Sequence, residues 1–365
     1  MAENILSNFV YGFFKKFFSV AENTSVDIGY PKNILIVRQH NQLGDVLAGV
    51  SLFRAVKETY PDCNIVLIVS PSNYSGLIKN KFINQLFVFD KKKIFNPFYL
   101  SRFFKVLRNQ YDVCIVPVTV SISFTSNLIS RFSNSKIRIG PKSLDGKKNK
   151  SAFLFDRLVD IDWRKHPDSN VSERSLDIVR PFGINTDNFK SDIYFDNDDI
   201  ATAEKFISSI NQDKKGLLIG FHVGAGKIPN RWSLKKYLAL MEKLKENYSV
   251  NFYLTGSNSD LNEINYIQKN SNFETALFLN KKISEVAALV SKSDLFISND
   301  TGIMHVAGTT ETPQISIFGP TNPFNWAPIG HNKFFLRKSD LIDDVNVEDV
   351  YSLCEQILNK KIIQK

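Results

Sequence analysis

The stretch SNDTGIMHVAG (298–308) places an acid, a hydroxyl, a glycine and a histidine (Asp300, Thr301, Gly302 and His305) within eight residues. It follows the apolar run LFIS and opens a segment with helical spacing, so it reads as a strand-to-helix turn. The N–H groups of a first helical turn are unpaired and lie at the positive end of the dipole, so they can hold a phosphate without a metal. In that reading Gly302 lets the anion come close, and His305, one turn on, donates to it or to a sugar hydroxyl. Asp300 would repel phosphate and is better placed for ligand hydroxyls. Simple capping of a helix by Asp300 or Thr301 is the other reading of the same residues.

A second turn of this kind is FHVGAGKIPNRWS (221–233), where a strand runs into Gly224, Ala225 and Gly226 with Lys227 and Arg231 nearby. Small residues let a backbone approach a diphosphate, and the two cations would neutralise it. It is not a Walker A loop, because no Gly-Lys-Ser/Thr follows at the required spacing. Trp232 is expected in the core. In a third turn, RQHNQLGDVLAG (38–49), Gly44 and Asp45 open a helix. Asp45 could take a proton from an attacking hydroxyl; from spacing alone it reads better as a first-turn carboxylate favoured by the dipole.

The elements that must carry these turns follow one pattern twice. In the first half NILIVR (33–38), NIVLIV (64–69), LFVFD (86–90) and VCIVPV (113–118) are short apolar runs, separated by stretches with helical spacing such as 46–60. In the second half GLLIGFHV (216–223), VNFYLTG (250–256), LFISND (295–300) and QISIFG (314–319) repeat it, with helices expected near 233–247, 259–269, 283–292 and 302–309. Apolar runs without alternation are what strands buried on both faces look like, and strands alternating with helices imply parallel sheets. The expected fold class is therefore α/β, with two Rossmann-like doubly wound domains. The joint is expected within 160–195, giving domains of 1–180 and 181–344 and a closing helix in 345–365.

Composition bounds the function classes. The 365-residue chain suits two domains, and its three cysteines, Cys63, Cys114 and Cys354, are far apart and fit buried small hydrophobes in a reducing compartment. No window reaches the length of an apolar spanning helix and no signal peptide opens the chain, so a cytoplasmic protein is expected. Residues 1–190 hold 27 Lys+Arg against 16 Asp+Glu and residues 191–365 hold 19 against 21, so the charge of +9 sits in the first half. A basic half attracts acidic or phosphorylated material. Nucleic acid is not the expected partner, since the cations are scattered (KKK 91–93, KKNK 147–150) and match no known binding module; KKNK reads as a loop. The arm ILSNFVYGFFKKFFSV (5–20) mixes aromatics with Lys15 and Lys16, and has two readings, packing on its own domain or contact with a membrane surface.

The combination of NILIVRQHNQLGDVL, GFHVGAGKIPNRW and FISNDTGIMHVAG with TPQISIFGPTNPFNWAP resembles the heptosyltransferase-type glycosyltransferases of family 9, from about residue 32 to 358. The resemblance implies a GT-B architecture, two Rossmann-like domains facing across a cleft, with the nucleotide-sugar donor in the second and the acceptor in the first. It implies inverting, metal-independent transfer from an ADP-heptose-like donor, with no cofactor, to a lipopolysaccharide or other lipid-linked or polysaccharide acceptor, at the cytoplasmic face of the inner membrane with peripheral contact to anionic lipid. The family's catalytic base falls on Asp45, with Arg38 and Gly44 on the acceptor side. Its donor contacts fall on Ala225 and Gly226, on Asp260 after Gly256 for the ribose, and on Asp300, Thr301, Gly302 and His305; Gly224, Lys227, Asn230, Arg231 and Gly256 are expected on the donor side with them. One departure stands out. Where family members carry a lysine two positions before the tryptophan, this chain has Asn230, so Lys227 or Arg231 would supply the charge. The alternatives are a nucleotide-sugar epimerase on the same architecture and a non-catalytic nucleotide-sugar-binding assembly protein. An oxidoreductase is disfavoured because GxGxxG is absent after the first strand.

Overall fold

The structure, a computed structural model, describes residues 11–39, 42–118, 120–210 and 216–364. The chain divides into two units, Met1–Phe189 and Lys190–Lys365.

The first unit is built on strands β1 (Asn33–Arg38), β2 (Asn64–Val69), β3 (Gln85–Val88), β4 (Tyr111–Ile115), β5 (Ser135–Leu144), β6 (Lys147–Lys148) and β7 (Arg157–Ile161). Their order is β3-β2-β1-β4-β5, with β6 and β7 both paired to β5. β1 is parallel to both neighbours, with Ile34 opposite Ile65 and Val113. Helices cover both faces of this sheet, which is why Ile34, Leu35, Ile36 and Val37 are all fully buried and the strand shows no alternation. KKNK, expected as a loop, is partly a strand: Lys147 and Lys148 pair with Leu144 and Ser143 across the two-residue turn Asp145-Gly146, both with positive φ. Asp-Gly at that spacing is a strong hairpin signal, and the lysines hid it by reading as solvated charge.

Residues 11–18 are helical and pack on their own domain, the first of the two readings of the arm; 5–10 lie outside the described residues. Tyr11 and Phe14 lie against Phe124, and Phe18 against Phe132. Phe13 and Phe17 point outward, 52% and 60% exposed.

The second unit is all parallel: β8 (Leu217–His222), β9 (Val250–Gly256), β10 (Ala276–Leu279), β11 (Leu295–Asn299), β12 (Gln314–Ile317) and β13 (Lys333–Leu336), in the order β10-β9-β8-β11-β12-β13. Helices Leu234–Asn247, Leu261–Asn270, Ile283–Ser291 and Gly302–Gly308 return the chain between strands. The closing helix Val347–Gln364 packs on Leu234–Asn247, where Lys243 bonds Glu348 and lies 4.3 Å over the Tyr351 ring. Trp232 is core, as expected: it meets Tyr237 edge-on at 4.8 Å and donates its indole N–H to the Val345 carbonyl. The three cysteines are free and buried. Among the described residues no helix is long and apolar enough to cross a membrane.

Both sheets reverse their strand order once, between β1 and β4 in the first unit and between β8 and β11 in the second. In doubly wound sheets ligands bind just beyond the C-terminal ends of the strands at such a point, because the two flanking loops diverge there and leave a crevice.

Candidate functional site

The turns picked out by residue chemistry leave the C-terminal ends of those strands. In the second unit the loop after β8 and the loop after β11 are joined by Asn299, the last residue of β11, which is fully buried. Its amide N–H groups donate to the carbonyls of Val223 (2.9 Å) and Gly224 (3.2 Å), and its Oδ1 accepts from Trp232 N (3.1 Å) and Tyr237 Oη (3.0 Å). All four hydrogen-bonding positions of one amide are thus spent on fixing the Gly-rich loop at both ends. A polar residue closing an otherwise apolar strand was the available signal for this role, which sequence reasoning left unassigned.

A second contact joins the same loops. Asn230, in the short 3-10 turn Ile228–Asn230, donates to Asp300 Oδ2 at 2.9 Å. Burial raises the Asp300 carboxyl pKa, against a hydrogen bond from Thr321 and the charge of Lys227. Thr301 is the residue before helix Gly302–Gly308 and makes no side-chain capping bond, so the capping reading does not describe it. Asp300 is engaged sideways by Asn230 and Thr321.

His305 is buried and meets the Trp326 ring edge-on at 6.2 Å. Burial pushes its pKa down to about 4, so the ring is neutral, and neither nitrogen has a hydrogen-bond partner among the described residues. His222, at the end of β8, is likewise buried: its Nδ1 lies 3.0 Å from the Thr255 carbonyl, and burial lowers its pKa.

The loop after β9 closes the third side. Gly256 ends the strand against Ile264, and Asp260 accepts from Ser257 N (2.8 Å) and Ser257 Oγ (2.9 Å) in a capping box. A Cβ at Gly224 would stand 2.3 Å from Asp260 Oδ1, so only glycine lets the two loops close this far. The two cations separate here. Arg231 donates Nε–H to the Ala225 carbonyl (2.8 Å) and Nη1–H to Glu263 Oε1 (2.6 Å), so it braces the loop and its charge is compensated. Gly226 and Lys227 are exposed at the loop's crest, and Lys227 pairs with no acidic side chain among the described residues.

In the first unit β1 hands over to the helix Leu43–Ala48, which carries Gly44 and a buried Asp45. Arg38, the last residue of β1, is buried with it: its guanidinium donates to the Asp45 carbonyl and occupies the space a Cβ at Gly49 would need. Burial lowers its pKa to about 10, and the negative charge of Asp45 opposes that shift. Residues 40 and 41 of this turn lie outside the described residues.

The family model of glycosyltransferase family 9 (heptosyltransferase) matches residues 100–349. This chain belongs to glycosyltransferase family 9. It is 25% identical over 299 residues to the lipopolysaccharide heptosyltransferase 3 of Escherichia coli, covering 79% of this chain and 84% of that one. Among solved structures, the family 9 glycosyl transferase of Veillonella parvula superposes with a TM-score of 0.79 at 18% identity, covering 92% of this chain and all of that one. The E. coli ADP-heptose lipopolysaccharide heptosyltransferase II gives 0.73 at 19%, covering 90% and 99%. The two doubly wound units are those of the GT-B fold.

For a family 9 glycosyltransferase the departure at Asn230 now has a physical account. Asn230 is buried and positions Asp300 with an uncharged amide, a contact that brings no positive charge to the loop. Of the two cations named for that charge, Lys227 is exposed at the loop's crest, within reach of Asp300, and Arg231 is paired with Glu263.

Proposed function

We propose that this enzyme transfers a heptose or related sugar from an ADP-heptose-like donor to a lipopolysaccharide-type acceptor, with inversion and without a metal. The observation that carries the donor half is the switch point between β8 and β11, where Asn299 and the Asn230–Asp300 bond fix two turns around an exposed Gly226-Lys227 crest. In this reading the backbone of 224–227, Lys227 and the first turn after Thr301 hold the diphosphate. Asp260 takes the ribose, and Asp300 and neutral His305 take sugar hydroxyls.

Asp45 is the general base. The acceptor O–H gives its proton to the Asp45 carboxylate as the oxygen forms its bond to C1. The bond from C1 to the diphosphate oxygen breaks on the opposite face, and the nucleoside diphosphate leaves with the electron pair, its charge stabilised by the positions just named. Arg38 holds the helix that carries Asp45 through the Asp45 carbonyl. The first unit, with its basic balance and outward Phe13 and Phe17, meets the anionic membrane that carries a lipid-linked acceptor.

Thermal-shift screening against nucleoside diphosphates tests the donor half. A diphosphate at about 100 times its dissociation constant stabilises a fold by roughly 3 kcal/mol. ADP should raise the melting temperature above the other nucleotides, and no shift with any of them would remove the donor site from the second unit.

A further inference from the structure

The loop from Lys91 to Phe98 is exposed at every residue, and Phe95 and Phe98 are 90% and 83% exposed. From Lys91 to Tyr111 the sequence carries six Lys or Arg and no Asp or Glu. Large aromatics this far into solvent, with cations and no acid beside them, form an amphipathic surface seeking an apolar phase edged by negative charge.

The loop is held, so its display is built in. Tyr99 donates its hydroxyl to the Val88 carbonyl (3.0 Å) and accepts from Asp90 N (2.6 Å). The Asn96 side chain accepts from Tyr99 N, capping helix Pro97–Arg108. The Asp90 carboxylate is used within the loop, accepting from Lys92 N. Beneath the loop Phe89 and Phe103 lie 4.7 Å apart. On the same helix face, Pro97–Arg108 and the edge strand β3 form a groove of about 420 Å³ lined by Arg102, Lys105, Phe87 and Val106, which runs away from the loop to Gln85 and Asn109 at the other end of the strand.

This loop does not stand alone. Phe103, Ile129 and Phe18 belong to one apolar cluster, so helix Pro97–Arg108, helix Phe124–Phe132 and the helix over 11–18 cover one face of the first sheet. Phe104 and Phe132, on the first two of those helices, are 46% and 49% exposed, and Phe13 and Phe17 add to the same layer.

We infer that this layer is a docking face for an anionic phospholipid bilayer, with Ile94, Phe95 and Phe98 entering the interface, Lys91–Lys93 at the headgroups and the Arg102–Lys105 groove taking a headgroup phosphate. The inference deepens the peripheral-membrane reading above and rests on it. Charge complementarity favours the bilayer: the cations accompany exposed aromatic tips, and the stretch from Lys91 to Tyr111 holds no acid. The topology connects the face to the reaction. The loop leaves the C-terminal end of β3, the same edge of a parallel sheet at which β1 hands over to Asp45. A bilayer met there presents a lipid-linked acceptor to that edge.

The test is flotation of the full chain with vesicles of phosphatidylglycerol and phosphatidylethanolamine, against phosphatidylcholine alone, at low and high salt. Wild type should float with the anionic vesicles only, and less at high salt. Lys91→Glu/Lys92→Glu/Lys93→Glu should weaken binding at least about 100-fold, each lysine near an anionic surface being worth about fivefold. Phe95→Ser/Phe98→Ser should weaken it about tenfold or more. Both variants should keep the wild-type melting temperature, since these side chains are exposed. If wild type binds and both loop variants bind equally well, while deletion of residues 1–20 abolishes binding, the docking face is wrong and the peripheral reading survives. If wild type ignores anionic vesicles at low salt, both fail. If the loop variants change the oligomeric state by light scattering and not the flotation, the face is a contact between copies of the chain and the inference is overturned.

Discussion

Asn299→Asp isolates what one amide does for the donor site. The carboxylate keeps the acceptor that Trp232 N and Tyr237 Oη use, but it turns an oxygen toward the carbonyls of Val223 and Gly224, where Asn299 presents its N–H groups. The site is fully buried, so the folded protein tolerates the new group only as the neutral acid, whose O–H can still donate. Holding a carboxyl neutral at pH 7 against an unfolded pKa of about 3.9 costs about 4 kcal/mol, at 1.36 kcal/mol per pH unit. The sign follows from a folded pKa raised above the unfolded one: the penalty is absent below about 3.9 and grows as pH rises, so at pH 5 it is only about 1.5 kcal/mol. Urea unfolding of wild type and variant at both pH values gives the difference directly. The variant should be the less stable by roughly 4 kcal/mol at pH 7 and by well under half of that at pH 5. Affinity for ADP should fall with it, because the Gly-rich loop loses its tie. The control is Leu244→Ala, a core change in helix Leu234–Asn247 that should cost about 2–5 kcal/mol and leave affinity unaltered. A pH-independent difference, or one below about 0.5 kcal/mol at pH 7, would refute the assignment of Asn299.

Three further outcomes are expected. Lys227→Ala should weaken ADP binding about 5–10-fold with little change in stability, whereas Arg231→Gln, which removes the brace on the Ala225 carbonyl, should cost about 1–2 kcal/mol of unfolding free energy; calorimetric titration and urea melts separate the two. Because the folded pKa of His305, about 4, lies below the ordinary 6.5, its neutral form supports the fold fully above 6.5 and that support is lost as pH falls toward 4. Over that window wild type should lose roughly 3 kcal/mol more than His305→Gln, and parallel pH profiles would contradict a buried neutral ring. Transfer activity should survive EDTA, since helix termini and Lys227 supply the positive potential; loss restored by Mg²⁺ or Mn²⁺ would show that a metal does that work.

The parts of the fold that were legible were those whose signal is local. β1, β2 and β9 have the expected ends because apolar β-branched runs bounded by polar breaks leave one choice. β5 and β7 escaped notice since they mix Lys, Arg and Asp with apolar residues, and β5 contains Pro141; they lie toward the sheet's outer side, where one-sided burial permits charge. β10 and β13, at the edges of the second sheet, are only four residues long. In the site, glycine and aspartate at strand ends announced the turns. The roles within them depend on partners far along the chain: Asn299 reaches Val223, Arg231 reaches Glu263, and Gly224 abuts Asp260. Spacing carries no record of such pairs, so the brace of Arg231 on Glu263 and the tie of Asn299 to Val223 are visible only in the structure. A base role for Asp45 is what the family resemblance implies, and what the structure shows is its burial beside Arg38.

The central claim is that Asp45 accepts the proton from the acceptor hydroxyl, and the most direct test is turnover of Asp45→Asn with donor and acceptor both saturating. The account predicts a rate lowered by roughly 10²–10⁴-fold with unchanged ADP affinity and a wild-type fold, because the amide keeps the shape and cannot take a proton. Near-wild-type turnover in Asp45→Asn would contradict it.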